Sequence, residues 1–425
     1  MRNTLFSFFQ SRPFLRNAGV LTVGTVFAQG ITVLILPVLT RLYSPEVFGL
    51  LSVYVALIGI ATVVSCLRLE LAIPVPERDE DAASLLALAF IAATVLSTVL
   101  AIVVMALPEQ IFASLRQPMI QPYLWLIPVG VFFASTYSAL QYWSSRHKRF
   151  VLITRTRLSR TLGASSAQLV FGLASGSPFG MLFGHLLYSG LGVFGLAGKL
   201  WRSDRALLGT VSLRSMRAML IAYSRFPTRL VPAAVLDAGH QHLPILIMAP
   251  VIGGAEIGMA FLVIRALAMP ISLVGTSISQ VYLADAGARL DSGDLGSFTR
   301  LIMRNIFSIG TPLMIAIGAI GYFFWGWIFG EEYAPAGTMA LWMTPWFIAH
   351  LVSSPVSIIF AATNRQSEWL TLQAFGFLII VGGTVAATWY LPAYTIIVFS
   401  LANFVFYSVV SAAVIYLTYH IERRG

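Results

Sequence analysis

The chain has 425 residues, of which 58% are hydrophobic and only 10% charged, against roughly 25% charged in an ordinary soluble domain, so its composition fits lipid as solvent. One cysteine, Cys66, excludes an intramolecular disulfide and argues against a Cys-ligated metal or iron–sulfur site. A net charge of +10 would point to nucleic acid only if the basic residues formed a soluble patch, and their placement decides otherwise.

At the N-terminus Arg2, Arg12 and Arg16 precede an apolar stretch in the manner of a signal peptide, but no small-residue cleavage site follows, so the segment is read as retained. Phe6, Phe8, Phe9 and Phe14 beside those arginines fit either a short interfacial helix or a disordered tail. A first span is predicted at 17–40. Along it Thr22, Thr25, Gln29 and Thr32 recur every three or four residues and form one polar stripe, serving either interhelical hydrogen bonds or a cavity. The second span, 47–67, runs into Arg68-Leu69-Glu70, an interfacial ion pair or part of a cavity wall. Ahead of the third span, 82–107, the run Glu77-Arg78-Asp79-Glu80-Asp81 supplies acidic residues to a helix start, where they complement the dipole.

Further spans are predicted at 119–143, 151–173 and 178–198. Within the last, Gly190 to Gly195 matches G-x-G-x-x-G letter for letter, but without a strand-turn-helix context the glycines are read as close helix packing. The longest polar stretch, 199–225, contains Leu213, Met216, Leu220 and Tyr223 at helical spacing and predicts an amphipathic helix along one leaflet. The seventh span, 228–251, carries Asp237, His240 and His242 among Pro232, Pro244 and Pro250. A kinked helix is expected, with Asp237 and His240 one turn apart as either an exchangeable-proton pair or a static hydrogen bond. In the eighth, 259–283, Arg265, Ser272, Thr276 and Ser279 share a face. That guanidinium either meets a water-filled cavity or snorkels to the surface. Spans at 301–329, 337–362, 368–390 and 394–418 bring the total to twelve.

Positive loops stay on the cytoplasmic side. With the N-terminus inside, 24 of the 27 basic residues fall on that side, Arg41 and Arg116 fall opposite, and Arg265 lies inside a helix. Both termini are thus expected in the cytoplasm, and the +10 becomes a topology signal that leaves no role for nucleic acid. The polar stretch divides the chain into two six-helix lobes, 1–215 and 216–425. The halves echo each other in Gln29, Pro37 and Glu46-Val47-Phe48-Gly49 against Gln241, Pro250 and Glu256-Ile257-Gly258. The predicted outer loops are short and carry no His, Cys or carboxylate cluster beyond Glu331-Glu332. Neither an enzyme nor a metal or other cofactor is expected.

Taken together, residues 39–54 (LTRLYSPEVFGLLSVY), the following RLELAIPVP, YSRFP from Tyr223, HLPILI from His242, RALAMPISLVGTSISQVY from Arg265 and FGEEYAPAG from Phe329 resemble the polysaccharide or O-unit (Wzx-like) flippases of the multidrug/oligosaccharidyl-lipid/polysaccharide exporter superfamily. The resemblance implies an all-α integral membrane fold of about twelve transmembrane helices in two MATE-like six-helix bundles. It further implies alternating access that moves an undecaprenyl-diphosphate-linked oligosaccharide across a bacterial inner membrane, with membrane lipid and polysaccharide polymerase machinery as partners. Relatives that carry phosphate-bearing lipids line their cavity with basic residues on the first, second and eighth helices, which makes Arg41, Arg68 and Arg265 the expected diphosphate ligands. Arg229, Gln29, Ser272 and Thr276 are expected to line the same cavity, and guanidinium forks suit a diphosphate. The competing expectations are a cation-coupled drug exporter on the same fold, disfavoured by the scarcity of buried carboxylates, and a membrane glycan polymerase or ligase, which would need a large outer loop.

Overall fold

The computed structural model describes residues 13–106, 118–363 and 365–422, with side chains for all of these except 13–23, 118, 361 and most of 273–291. The readings of residues 1–12 and of Arg116 lie outside the described residues. Every regular element among the described residues is helical, as the bilayer requires of a chain that must satisfy its backbone internally without closing a barrel.

A helix stands at each of the twelve predicted places. In chain order they are α1 (Pro13–Leu34) with its short continuation α2 (Leu36–Leu42), α3 (Pro45–Ser65), α4 (Asp79–Ala106), α5 (Leu126–Arg146), α6 (Phe150–Ser175), α7 (Pro178–Ser203), the surface helix α8 (Leu213–Ala222), α9 (Val231–Ile252), α10 (Gly254–Asp291), α11 (Leu295–Phe329), α12 (Ala336–Ser353), α13 (Gln366–Tyr390) and α14 (Thr395–Glu422). Among the described residues nine spans are long and apolar enough to cross a membrane, which makes this a multi-pass membrane protein. The helices at α5, α6 and α12 are not among the nine.

Contacts sort the chain into two compact units, the first formed by residues up to Ile35 with Tyr54–Ala238, the second by Leu36–Val53 with the chain from Gly239 onward. The first unit is centred on Leu69, Ile73, Leu85, Leu86, Leu140 and Trp143, all nearly inaccessible. Its helices approach through small residues: Ala82, Ala83, Ala89 and Ala93 are the buried face of α4, and a Cβ on Gly184 of α7 would strike Gln168 and the Ala164 carbonyl of α6. Lipid is as apolar as a leucine side chain, so it is such close approach, with its dispersion contacts, that holds membrane helices together. Gly190 and Gly192 behave likewise, against Phe133 and Tyr137. Helix α8 starts on a capping box in which Ser212 and Ser215 each satisfy the other's backbone N–H. It turns Met219 toward the core cluster while Leu213 stays exposed.

Within the second unit the echo between the halves becomes a contact. A Cβ on Gly49 would meet the Gly254 backbone, and one on Gly258 would meet that of Pro45. Because 45 stands to 49 as 254 stands to 258, the two repeat motifs touch reciprocally, as self-complementary surfaces do. The same segment is fastened by Tyr333, whose hydroxyl donates to the Tyr43 carbonyl at 2.7 Å.

Candidate functional site

In the first unit the polar stripe of α1 faces α6. Gly24 of α1 lets the helices close, since a side chain there would collide with Thr154. One turn on, Arg157 Nη1 donates to Thr25 Oγ1 at 2.6 Å. Arg160, one turn further along α6, lies over the ring of Tyr137 at 3.8 Å and that of Tyr188 at 4.5 Å, and its Nε donates to the Tyr188 carbonyl. At 1.5 Å per residue Arg157 and Arg160 stand about 10 and 15 Å along α6 from Phe150. Both fall within the predicted 151–173 span and count toward the cytoplasmic positive charge; the structure seats them within a helix, half-buried. Their signal was present in the polar side chains Thr161, Ser165 and Gln168 that continue along α6. Thr32 Oγ1 donates to the Ala28 carbonyl of its own helix, Gln29 is half-buried, and the side chain of Thr22 lies outside the described residues.

At the end of α3 the chain makes a sharp turn in which Leu67 and Arg68 both adopt left-handed φ, at 53° and 58°, a conformation costing an L-residue about 1–2 kcal/mol and tolerated where the surroundings impose it. The turn places Arg68 Nη1 3.6 Å from Glu70 Oε1. Glu70 is buried and its Oε2 has no hydrogen-bond partner in the structure. Burial pushes this carboxyl above the ordinary carboxylate range, its own backbone N–H and Arg68 only partly opposing the shift. The turn that carries Arg229, Phe226–Leu230, packs on this one, and the Arg229 side chain is exposed. Thus the structure brings the segments of Arg68 and Arg229 together and gives Thr25 an unforeseen arginine neighbour.

A second polar cluster closes the other ends of α6 and α7. Arg149 donates from both terminal nitrogens to Asp204, at 2.6 and 2.7 Å, and the Trp143 indole donates to the same carboxylate at 2.9 Å. Burial alone would push Asp204 up, yet these donors hold it below the ordinary carboxylate range. Next to it Arg146 pairs with Asp79 at 2.8 Å and donates to the carbonyls of Pro76 and Glu77. Asp79 therefore acts as an ion-pair anchor as well as standing in the first turn of α4.

In the second unit Arg41 Nη1 donates to the carbonyls of Pro37 and Ile328 at 2.6 and 2.8 Å, and its Nη2 donates to that of Trp327 at 2.9 Å. The carbonyls of Trp327 and Ile328 are orphans at the C-terminal, negative end of α11, where a cation is favoured. Arg41, expected as a diphosphate ligand, caps this helix in the structure. Arg265 is half-buried with its guanidinium 4.9 Å from the Phe261 ring. Ser272 Oγ donates to the Met269 carbonyl and Ser279 Oγ to that of Pro355, while the Thr276 side chain lies outside the described ones. His240 is buried with its ring 5.4 Å from Phe406. Asp237, half-buried, belongs by contacts to the first unit, so the division runs through α9 between the two members of the expected pair. Helix α9 continues through Pro244 and Pro250. No group of three or more potential metal ligands occurs among the described residues.

The fold is that of known transporters. An inward-facing multidrug resistance MATE family transporter of the MOP superfamily superposes with a TM-score of 0.64 at 15% identity, covering 95% of this chain and 96% of that one. The lipid II flippase MurJ, in an inward closed conformation, gives 0.63 at 12% identity over 94% and 91%. A MOP superfamily transporter from Pyrococcus furiosus, described by the reverse polarity of its binding pocket, gives 0.53 at 13% over 96% and 95%. At such identities the likeness establishes the fold alone. No curated protein matches the sequence. Residues 38–337 match the family described as "Polysaccharide biosynthesis protein", and since this is well over half of the chain, the protein belongs to that family of membrane proteins.

Proposed function

We propose that the protein is a flippase, a transporter and not an enzyme, that moves undecaprenyl-diphosphate-linked oligosaccharide repeat units from the cytoplasmic to the outer leaflet of a bacterial inner membrane by alternating access. O-antigen, capsule or exopolysaccharide synthesis would consume the product, with both termini in the cytoplasm. The observation that carries the reading is the sign of the charge held within the helices. Arg157, Arg160 and Arg265 are half-buried within helices, with Asp237 half-buried on α9, whereas the buried carboxylates of Glu70 and Asp204 each face an arginine. Ionised groups at membrane depth are costly and mark substrate pathways. Cations in that position fit a diphosphate, and paired carboxylates do not fit a cationic drug.

On this reading Arg265, Arg68 and Arg157 are the diphosphate ligands, Gln29, Ser272 and Thr276 meet the glycan, Arg229 contributes to the entry side, and Arg41 serves by holding α11. The test is a deletion strain. Lipid-linked repeat units accumulate on the cytoplasmic leaflet, wild type restores surface glycan, and Arg265→Ala does not. Normal surface polysaccharide in the null strain with no trapped intermediate sinks the proposal, and a null strain made sensitive to cationic drugs supports the drug-export reading. Proton coupling through Asp237 and His240 is a separate element of the proposal. It expects transport by Asp237→Asn to lose its dependence on an imposed pH gradient.

A further inference from the structure

A pocket of about 560 Å³ opens beside the first turns of α11, lined by Arg289, Arg300 and Arg304 together with Asp294, Phe298 and Leu301. Among the described residues its charged lining comprises three arginines and one carboxylate. The carboxylate is already held, since Arg289 Nη1 donates to Asp294 Oδ2 at 2.7 Å. Two of the guanidiniums are fixed in place. Arg289 lies 3.7 Å from the centre of the Phe298 ring, and Arg300 lies 4.5 Å from that of Tyr419 while donating to Thr418 Oγ1 at 3.1 Å. Such stacking orients a planar donor fork before any ligand arrives, which lowers the entropy cost of binding an anion.

The depth of the pocket follows from the helix that carries it. Helix α11 has 35 residues, about 52 Å at 1.5 Å per residue, well beyond the roughly 30 Å of a hydrocarbon core. No residue from 305 to 329 is charged, and this stretch alone, about 37 Å, spans the core. Arg300 and Arg304 therefore sit where lipid phosphates sit. Along the same face the arginines give way to Phe307, three residues on, and to Ile315, about two turns further, exposed by 55% and 53%. A guanidinium cluster directly above an exposed apolar track is the two-part surface of a phospholipid.

We propose that this pocket is a binding site for one anionic phospholipid of the surrounding bilayer, its phosphate held by Arg300 and Arg304 and an acyl chain laid along Phe307 and Ile315. The site requires only that the chain is membrane-embedded, and it stands whether or not the flippase reading does. A bare basic loop kept inside by its charge would need neither a pocket nor an apolar track.

Native mass spectrometry of the purified full-length protein, titrated with phosphatidylglycerol or phosphatidylcholine, tests the proposal. Wild type is expected to hold one phosphatidylglycerol in preference to phosphatidylcholine, with affinity falling about fivefold for each arginine removed, hence about twenty-fivefold in Arg300→Gln/Arg304→Gln. Should the double variant fail to remain monodisperse, Arg304→Gln alone, whose side chain is exposed, carries the test. The pair Arg214→Gln/Arg217→Gln on α8 removes the same charge from an exposed face and should leave the bound lipid unchanged. Equal retention of phosphatidylglycerol by the pocket variants, equal binding of phosphatidylcholine, equal loss in the α8 variant, or displacement of the lipid by millimolar inorganic phosphate would each overturn it.

Discussion

Helices α6 and α7 have the same length, 26 residues, and lie side by side in one unit, yet only α7 is apolar enough to cross a membrane on composition alone. Helix α6 bears Arg155, Arg157 and Arg160 within its first three turns. Its acceptance rests on neighbours. Arg157 has Thr25 of α1, Arg160 has Tyr137 and Tyr188, and only Arg155 is exposed. The two helices are also tied at both ends. Gly176 at φ 60° ends α6, Ser177 caps α7 through the Phe179 N–H, and Pro178 opens it. At the opposite ends Arg149 and Asp204 close the hairpin with a forked ion pair. The lesson is that one helix is stable in lipid by what it is made of and the other by what surrounds it.

That difference can be broken at four points. The largest effect is expected from Asp204→Asn, which leaves the half-buried Arg149 without its counter-charge and should cost about 3 kcal/mol, read as a drop in the thermal unfolding temperature of detergent-purified protein. The same pair sets a pH dependence. Because the carboxyl of Asp204 is held below its ordinary range in the folded state, its contribution is complete above the ordinary carboxylate value and is lost as pH falls through the lowered one. Wild type should lose stability on acidification over that window, and Asp204→Asn should lose less. Gly184→Val wedges a side chain into the contact with Gln168 and the Ala164 carbonyl. A loss of about 1–3 kcal/mol is expected, and an unchanged unfolding temperature would show that α7 does not depend on close approach to α6.

Arg157→Gln separates support from transport. Surface glycan in a complemented deletion strain should fall about tenfold, the equivalent of roughly 1.4 kcal/mol, while membrane insertion and amount of protein hold. A parallel loss of protein would make Arg157 a packing residue. Smallest of all, Arg155→Ala on the exposed side of α6 should change stability by less than about 0.5 kcal/mol and leave glycan export intact.

Much of this was legible in the chain. The twelve helix positions, the amphipathic segment before the seventh, and the close packing of Gly190 and Gly192 followed from apolar run length and small-residue spacing, because these are local properties that the bilayer enforces residue by residue. Roles that depend on a distant partner were not legible. Arg41 caps the carbonyls of Trp327 and Ile328, more than 280 positions away in sequence. The partners of Arg157 and Arg160 were hidden too, because hydropathy averages over a window and cannot see a threonine or a tyrosine supplied by another helix.

The sequence by itself thus determined the class of protein, the places along the chain where helices form and an excess of basic over acidic residues, since composition and period are summed along the chain. Only the tertiary structure decided that residues 36–53 pack with the second unit, that Gly49 and Gly258 meet in reciprocal register, and which guanidiniums are committed to helix ends and which lie within helices. Those outcomes depend on contacts between residues far apart in sequence, where a hydrogen bond or a missing Cβ at one site is satisfied by backbone from another.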